Sequence, residues 1–161
     1  MKRNLKHMIL LLILIIWTFL ILFLSFQTGT DTANTSMRFT KYILAFFMGS
    51  DIPQDALYHW HMVFRLWAHP FIFFFFSILA MKAVSEFVKK QWYSIAFTGV
   101  SGVILAVFTE AGKWNIPGRH FNWGEMWLNI AGVVSGIIVY MAVAVLWRRC
   151  MGLHAKQCSN P

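Results

Sequence analysis

The chain has 161 residues, of which 58% are hydrophobic and 12% are charged, and its formal net charge is +8. Soluble domains contain roughly 45–50% apolar and about 25% charged residues, so this composition disfavours a soluble globular protein and excludes a disordered one. A positive charge suggests nucleic acid as a partner in a soluble protein. Here the basic residues lie mainly at the ends of apolar runs, so we expect membrane lipid and no nucleic acid.

Residues 8–26 form the first apolar run and contain no charged residue. A helix of this length covers about 28 Å, close to the thickness of membrane hydrocarbon. Basic residues precede the run, as in a secretory signal peptide, but the run is longer than the apolar core of such a peptide. The residues that follow, 25–28, do not form a small-residue cleavage site. We therefore expect an uncleaved membrane helix.

The stretch 27–63 is predicted to be more than a linker. Ser36 is placed to cap a short helix that begins at Met37. Residues 42–48 are apolar but too few to cross a membrane. We therefore expect a short interfacial or re-entrant helix in this loop.

Three further apolar runs occupy residues 64–81, 92–108 and 126–147. Spanning segments in lipid must be helices unless a barrel closes, because every backbone polar group needs an internal partner. These runs are too long and too uniformly apolar for barrel strands. The sequence therefore predicts an all-α polytopic membrane protein, a single domain over residues 1–161 with a bundle of four transmembrane helices.

Lysine and arginine residues indicate the orientation of this bundle, because cytoplasmic loops carry an excess of them. One side holds the larger set, in the N-terminus, the 82–91 loop and the tail: Lys2, Arg3, Lys6, Lys82, Lys89, Lys90, Arg148, Arg149 and Lys156. The other side holds Arg38, Lys41, Arg65, Lys113 and Arg119. We expect both termini in the cytoplasm, where Cys150 and Cys158 would be unpaired thiols.

This topology predicts a layer of polar side chains near the outer membrane surface. Its members come from the second, third and fourth membrane helices and from the loop 111–125: Arg65, His69, Glu110, Lys113, Arg119, Glu125 and Asn129. Ionisable groups at membrane depth are costly, so they should pair or face a wet cavity. Glu110 and Glu125 are candidate partners of the two arginines. The charges sum to one spare positive charge, which suits an anionic head group.

Simpler interpretations of these residues stay open. The Arg–Glu pairs can serve only to hold helix ends together, and Asn129 can make a helix–helix hydrogen bond. His69 is interpreted as a structural donor rather than a catalyst. His59 and His61 form a weak metal pattern that we interpret as interfacial, so no metal and no other cofactor is expected.

Small residues predict close packing between helices. Thr98, Gly102 and Ala106 lead at intervals of four residues to Glu110, and Gly132 and Gly136 form a GxxxG pair. We interpret these stripes as contacts between the third and fourth membrane helices, with a homodimer as the alternative. Pro70 is expected in the first turns of the second membrane helix, or at a kink beside His69.

Three stretches of the chain form an ordered set of motifs. They are Ser25-Phe26-Gln27-Thr28-Gly29, Arg65-Leu66-Trp67-Ala68-His69, and a third that contains Glu110, Pro117-Gly118-Arg119, Glu125, Asn129 and Gly132. In this order and spacing they resemble the motifs of the VanZ-like family of bacterial membrane proteins. The chain departs from the family pattern at Thr109, where an acidic residue is usual, at Lys113, where the family has Gln, and at Glu125, where it has Asp.

The resemblance implies a protein of the bacterial cytoplasmic membrane, related to one associated with resistance to teicoplanin, a lipoglycopeptide that acts on cell-wall precursors. We favour a non-enzymatic protein that recognises an anionic or lipid-linked envelope component, such as a cell-wall precursor or a lipoglycopeptide. One alternative is an intramembrane enzyme, with Glu110 as base and His69 as proton shuttle. The other is a purely structural or assembly protein.

Overall fold

The computed structural model describes residues 2–49, 51–88 and 90–157, which form five α-helices and one short 3-10 helix and contain no β-strand. In chain order these are α1 (Lys2–Ser25), α2 (Gly29–Met48), α3 (Gln54–Ser85), α4 (Gln91–Gly112), the 3-10 helix (Lys113–Asn115) and α5 (Trp123–Gln157). Lys89 and Cys158, which entered the sequence predictions, lie outside the described residues.

Four of the helices contain segments long and apolar enough to cross a membrane: Leu5–Ser25, Gln54–Ser85, Gln91–Asn115 and Trp123–Cys150. This confirms the predicted all-α polytopic membrane protein. The second segment begins well before residue 64, because a helix that has started continues through the polar residues that hydropathy alone leaves out. At 32 residues, α3 is about 48 Å long.

The bundle has two ends that differ in character. At one end, which we call the terminal end because the N-terminal part of α1 lies there, His7 Nε2 is 3.3 Å from Glu86 Oε2, just after α3. At the same end, Ser85 shares a hydrogen bond of 3.1 Å with Tyr140 of α5. At the opposite end, which we call the polar end, Arg119 donates to the Ser25 carbonyl at the end of α1. The N-terminus of α1 and the C-terminus of α5 therefore lie at the same end of the bundle.

Exposed aromatic side chains mark both ends. Trp92 and Trp147 are exposed at the terminal end, and Trp114 and Trp123 at the polar end. The helix α4 has 22 residues and is about 33 Å long; Trp92 lies in its first turn, and Trp114 follows its last residue. This spacing matches the interfacial tryptophan belts of membrane proteins.

The helix α2 begins earlier than the sequence predicted. Thr28 is its N-cap, and the Thr28 hydroxyl accepts a hydrogen bond of 3.2 Å from the backbone N–H of Asp31. Ser36 lies inside the helix and donates to the Thr32 carbonyl at 2.8 Å. The prediction of a Ser36 cap and a start at Met37 was wrong, because Thr28 and Asp31 already form an effective helix start.

The helix α2 packs against the first part of α3. Ser36 Oγ and His61 Nδ1 share a hydrogen bond of 3.3 Å, the ring of Phe39 meets Phe64 edge to face, and Leu44 is buried. The last two turns of α2 expose apolar side chains: Tyr42, Phe46, Phe47 and Met48. One part of α2 is thus covered by α3, and its C-terminal turns present an apolar surface.

The bundle core joins α3 to its neighbours. Phe73, Phe76 and Val133 are buried in one cluster with Ile21 of α1. The indole N–H of Trp17 donates to the Ile72 carbonyl at 3.0 Å, which ties α1 to α3.

The glycine pair of α5 faces a different helix from the one predicted. A methyl group on Gly132 would overlap the backbone of Pro70, and one on Gly136 would come within 2.5 Å of the Phe74 carbonyl oxygen, so both glycines pack on α3. The contact between α4 and α5 is made instead by Gly102, which lies against Val133. The glycine pair therefore packs against α3 of the same chain, so it gives no support to the homodimer alternative.

Two other packing predictions have different outcomes. Thr98, Gly102, Ala106 and Glu110 form a buried stripe on α4, as their spacing predicted. Pro70 was expected in the first turns of its helix or at a kink; it lies in the interior of α3, because α3 begins at Gln54, so the first of these two positions was wrong.

Candidate functional site

The polar end brings together side chains from four separate elements. Arg65 and His69 lie one turn apart on α3, and Glu110 lies in the last turn of α4. Lys113 is the first residue of the 3-10 helix, and Glu125 lies in the first turn of α5. They form one network of ion pairs. Because α3 and α4 run in opposite directions, residues distant in the sequence meet at this level of the bundle.

Lys113 is the centre of the network. Its ammonium group donates to Glu110 Oε1 and, at 2.6 Å, to Glu125 Oε2. The Lys113 side chain is 3% exposed and that of Glu110 is 0% exposed. Charges this deeply buried are tolerated only when they are paired, so Lys113 supplies the charge that allows Glu110 to lie in the bundle.

Glu125 connects the central lysine to α3. Its Oε2 lies 3.3 Å from His69 Nε2, and its Oε1 lies 3.9 Å from Arg65 Nη2. The carboxylate also lies in the first turn of α5, where the positive end of the helix dipole favours negative charge. Asn122 caps the same turn, accepting a hydrogen bond of 2.8 Å from the Gly124 N–H.

Arg119 does not contact a carboxylate, contrary to the expected Arg–Glu pairing. Its Nη1 donates to the Ser25 carbonyl and its Nη2 to the Thr32 hydroxyl, both at 2.7 Å. The guanidinium thus connects the loop before α5 to the end of α1 and the start of α2. Burial lowers the pKa of Arg119 below its ordinary value; the charge of Arg65 lowers it further, whereas the charges of Glu125 and Glu110 raise it.

The backbone of this loop fits closely against the start of α2. Gly118 has a φ of 74°, a conformation that glycine adopts without strain. A Cβ on Gly29 would come within 2.5 Å of the Gly118 carbonyl oxygen. The two glycines let the chain segments approach, and this approach places Arg119 beside Ser25.

Three buried polar atoms at the polar end have no hydrogen-bond partner within the described part of the chain: Glu110 Oε2, Arg119 Nε and Asn129 Oδ1. Asn129 is 1% exposed. Buried polar atoms are usually hydrogen-bonded, so each such atom needs an explanation. The sequence placed Asn129 in the same layer as the ion pairs, but the structure gives its side-chain oxygen no partner there.

The formal charges of the network identify its spare cations. Lys113 offsets one of the two glutamates, and Arg65 stands opposite the second at the outer limit of an ion pair. Arg119 has only neutral partners. The predicted single spare positive charge therefore resides on Arg119, with Arg65 weakly held nearby.

His69, Glu110 and Glu125 each offer a ligand atom, and these atoms lie within 4.8 Å of one another. Imidazole and carboxylate donors of this kind suit a divalent cation. However, Lys113 donates to both carboxylates and supplies a positive charge at the same place. The sequence did not single out this group as a metal pattern, since its members lie far apart in the chain.

The two histidines that the sequence offered as a weak metal pattern, His59 and His61, form no shared site in the described part of the chain. His61 is buried beside Ser36, whereas His59 is exposed and packs against Trp60. The partners of Arg119, which are Ser25 and Thr32, were missed by sequence reasoning. Only the Ser25–Gly29 stretch pointed toward this part of the site.

Comparison with known proteins completes these observations. No curated protein and no solved structure matches the chain. The profile of the VanZ/LLP1 family matches residues 9–147. This range contains the second and third apolar segments, most of the first and the fourth, and every residue of the polar network. The chain therefore belongs to the VanZ/LLP1 family and is a multi-pass membrane protein.

Proposed function

We propose that this protein is a non-enzymatic recognition protein of the bacterial cytoplasmic membrane, whose polar end faces outward and binds an anionic, lipid-linked component of the cell envelope. The observation that carries the proposal is the guanidinium of Arg119, whose hydrogen-bond partners are neutral and whose Nε is buried with no partner among the described residues. A guanidinium without a bonded carboxylate, at the same end of the bundle as the weakly paired Arg65, is suited to a phosphate or carboxylate ligand.

The buried charges support a division of roles. Lys113, Glu110 and Glu125 bind one another and hold the helix ends together, whereas Arg65 is 40% exposed and can reach a ligand. His69 and Asn129 line the same region and complete the proposed binding set. A phosphate at this end of the bundle would supply the anionic partner that Arg119 lacks, which gives the site its preference for an anion.

The outward orientation rests on charge. The terminal end carries the larger share of lysine and arginine residues, and such residues are retained on the cytoplasmic side. The polar end would then face the compartment in which cell-wall precursors are assembled and in which teicoplanin acts. Teicoplanin resistance is accordingly the cellular phenotype that we propose to measure.

The direct test is binding of short-chain phosphatidylglycerol to the purified protein in detergent. Arg65→Gln and Arg119→Gln should each weaken binding at least tenfold, because a hydrogen bond to a charged group contributes about 1.5–3 kcal/mol. Lys41→Gln changes an exposed cation on α2 and should leave affinity unchanged. Normal affinity in both arginine variants would refute the proposal.

A cellular measurement should agree with the binding data. Cells that express Arg119→Gln at normal abundance should become more susceptible to teicoplanin. If the arginine variants lose thermal stability and activity in step, the role of these residues is structural rather than recognition.

An intramembrane enzyme is the second candidate, favoured by the 3.3 Å approach of His69 Nε2 to Glu125 Oε2. A histidine held by a carboxylate is a common general base. Glu110 suits this role less well, because Lys113 donates to its Oε1. Release of a head group from a phospholipid by the purified protein, abolished in Glu125→Gln, would favour the enzyme over the binding protein.

A further inference from the structure

A long apolar groove runs along the membrane-facing side of the bundle, between α1 and α4. It has a volume of about 570 Å³ and is floored by Phe76 and Ala80 of α3. Its walls include Phe19 and Leu22 of α1. This volume lies within the range of small-molecule binding sites.

Two hydroxyl side chains line the groove without making it polar. Thr18 Oγ1 donates to the Leu14 carbonyl at 2.8 Å, and Ser101 Oγ donates to the Thr98 carbonyl at 3.2 Å. Both hydroxyls are therefore satisfied within their own helices. Because Thr18 and Ser101 are small, the groove stays wide at these positions, and its lining is hydrocarbon.

Toward the polar end, the groove reaches Phe108 of α4. Phe26 lies next to it: its ring packs edge to face on Phe108 with ring centres 5.9 Å apart, and it lies against Gly112. The residue before Phe26 is Ser25, whose carbonyl accepts the hydrogen bond from Arg119. Consecutive residues at the end of α1 therefore contact the last groove residue, Phe108, and Arg119, a cation without a bonded carboxylate.

We propose that this groove binds one hydrocarbon chain of an anionic phospholipid whose phosphate contacts Arg119. The inference rests on the proposed function and names the ligand of the same site. Charge complementarity selects this occupant: a neutral lipid would fill the groove but leave Arg119 without its anion. The lipid lies with its head group at the polar end and its chain along α1 and α4.

The groove contributes through packing rather than through the hydrophobic effect. Bulk lipid is as apolar as the groove, so a chain gains little from leaving other lipid chains. The gain is contact with fixed walls, whereas the phosphate–arginine contact supplies the selectivity. We therefore expect closure of the groove to weaken binding about fivefold and loss of Arg119 to weaken it more.

The experiment is native mass spectrometry of the full chain in detergent, titrated with dipalmitoyl or dihexanoyl phosphatidylglycerol. Ile104→Trp covers the rim of the groove from a position that is 63% exposed, so the variant should fold. Val100→Trp is the matched control, 61% exposed on the same helix and outside the groove. Ser101→Trp fills the groove directly, and thermal unfolding reports whether each variant is folded.

The expected result is a loss in Ile104→Trp and Ser101→Trp of about fivefold for the long-chain lipid, with no change for the short-chain lipid or in Val100→Trp. Unchanged long-chain binding in both groove variants, with weaker short-chain binding in Arg119→Gln, overturns the groove and leaves the proposed function standing. Unchanged short-chain binding in both Arg65→Gln and Arg119→Gln overturns the proposed function. A groove effect without an Arg119 effect overturns the link between them.

Discussion

The backbone of Pro70 in α3 lies directly against Gly132 in α5, so closely that a methyl group on the glycine would overlap the proline carbonyl. Close approach of helix backbones through small residues is a principal source of packing in membrane bundles. The contact between Pro70 and Gly132 also fixes the position of α5 along the bundle axis relative to α3. Since Arg65 and His69 precede Pro70 and Glu125 precedes Gly132, this contact sets the geometry of the polar network.

Gly132→Ala should therefore destabilise the protein by about 1–3 kcal/mol, the usual cost of overpacking a core. Gly99→Ala is the control, because the nearest atom that its methyl group would meet is Ile137 Cδ1 at 4.0 Å. Both variants gain the same helix propensity, so the difference between their thermal unfolding midpoints in detergent isolates the steric effect. Equal midpoints would contradict the packing described.

Lys113→Met should cost about 3–5 kcal/mol, because it leaves the buried carboxylate of Glu110 without a counter-charge. Removing the charge of Glu110 as well should recover part of this loss. The double variant Lys113→Met with Glu110→Gln is accordingly expected to be more stable than Lys113→Met alone. Thermal unfolding of the purified proteins at one lipid-to-detergent ratio measures both effects.

The matched control for this cycle is Lys41→Met, which removes an exposed lysine of α2 and should change stability by no more than about 0.5 kcal/mol. Independent, additive effects of Lys113→Met and Glu110→Gln would show that the two side chains are not energetically coupled. Such a result would remove the basis for calling Lys113 the centre of the network.

The membrane helices could be predicted because their signal is local: each apolar run has its full length within one segment of sequence. The start of α2 was missed because Ser36 and Thr28 are both acceptable caps, and the choice depends on Asp31 and on the contact between Gly29 and Gly118. The start of α3 was missed because polar residues outside the apolar run remain helical.

The candidate site shows the same division between local and tertiary information. The alternating directions of the helices were sufficient to predict that Glu110, Glu125 and Arg65 share one end of the bundle. The partners could not be predicted, because hydrogen bonding depends on how deeply each side chain lies. Lys113 donates hydrogen bonds to both glutamates, whereas Arg119 donates to the backbone carbonyl of Ser25.

Glu86, in the turn after α3, predicts a small dependence of stability on pH. A hydrogen bond from Lys82, 2.6 Å long, holds the pKa of Glu86 below its ordinary value of 4.5. The ionised carboxylate therefore stabilises the folded protein at pH values above about 4.5, and this contribution is lost as the pH falls through the lowered pKa.

Because Glu86 is 33% exposed and Lys82 is 53% exposed, the contribution of this pair should be only a few tenths of a kcal/mol. Glu86→Gln should thus lower the unfolding midpoint slightly at pH 7 and have a smaller effect at pH 3. Lys82→Met removes the hydrogen bond to Glu86 but leaves the contact of Glu86 with His7, so its effect should fall in the same direction with pH. A larger effect of Glu86→Gln at pH 3 than at pH 7 would reverse the sign and exclude this pair as its cause.

The proposed orientation predicts which cysteines a membrane-impermeant maleimide can reach in intact cells. Cys150 is exposed on α5 near the terminal end, and His120 is exposed in the loop at the polar end. With Cys158 replaced by Ser, Cys150 should react only after the membrane is permeabilised. His120→Cys, in a chain with both native cysteines changed to Ser, should react before permeabilisation.

Both proteins must be labelled fully after solubilisation, which shows that neither thiol is buried. Labelling of Cys150 but not of His120→Cys in intact cells would place Arg65 and Arg119 on the cytoplasmic side, where they could not meet an external envelope component.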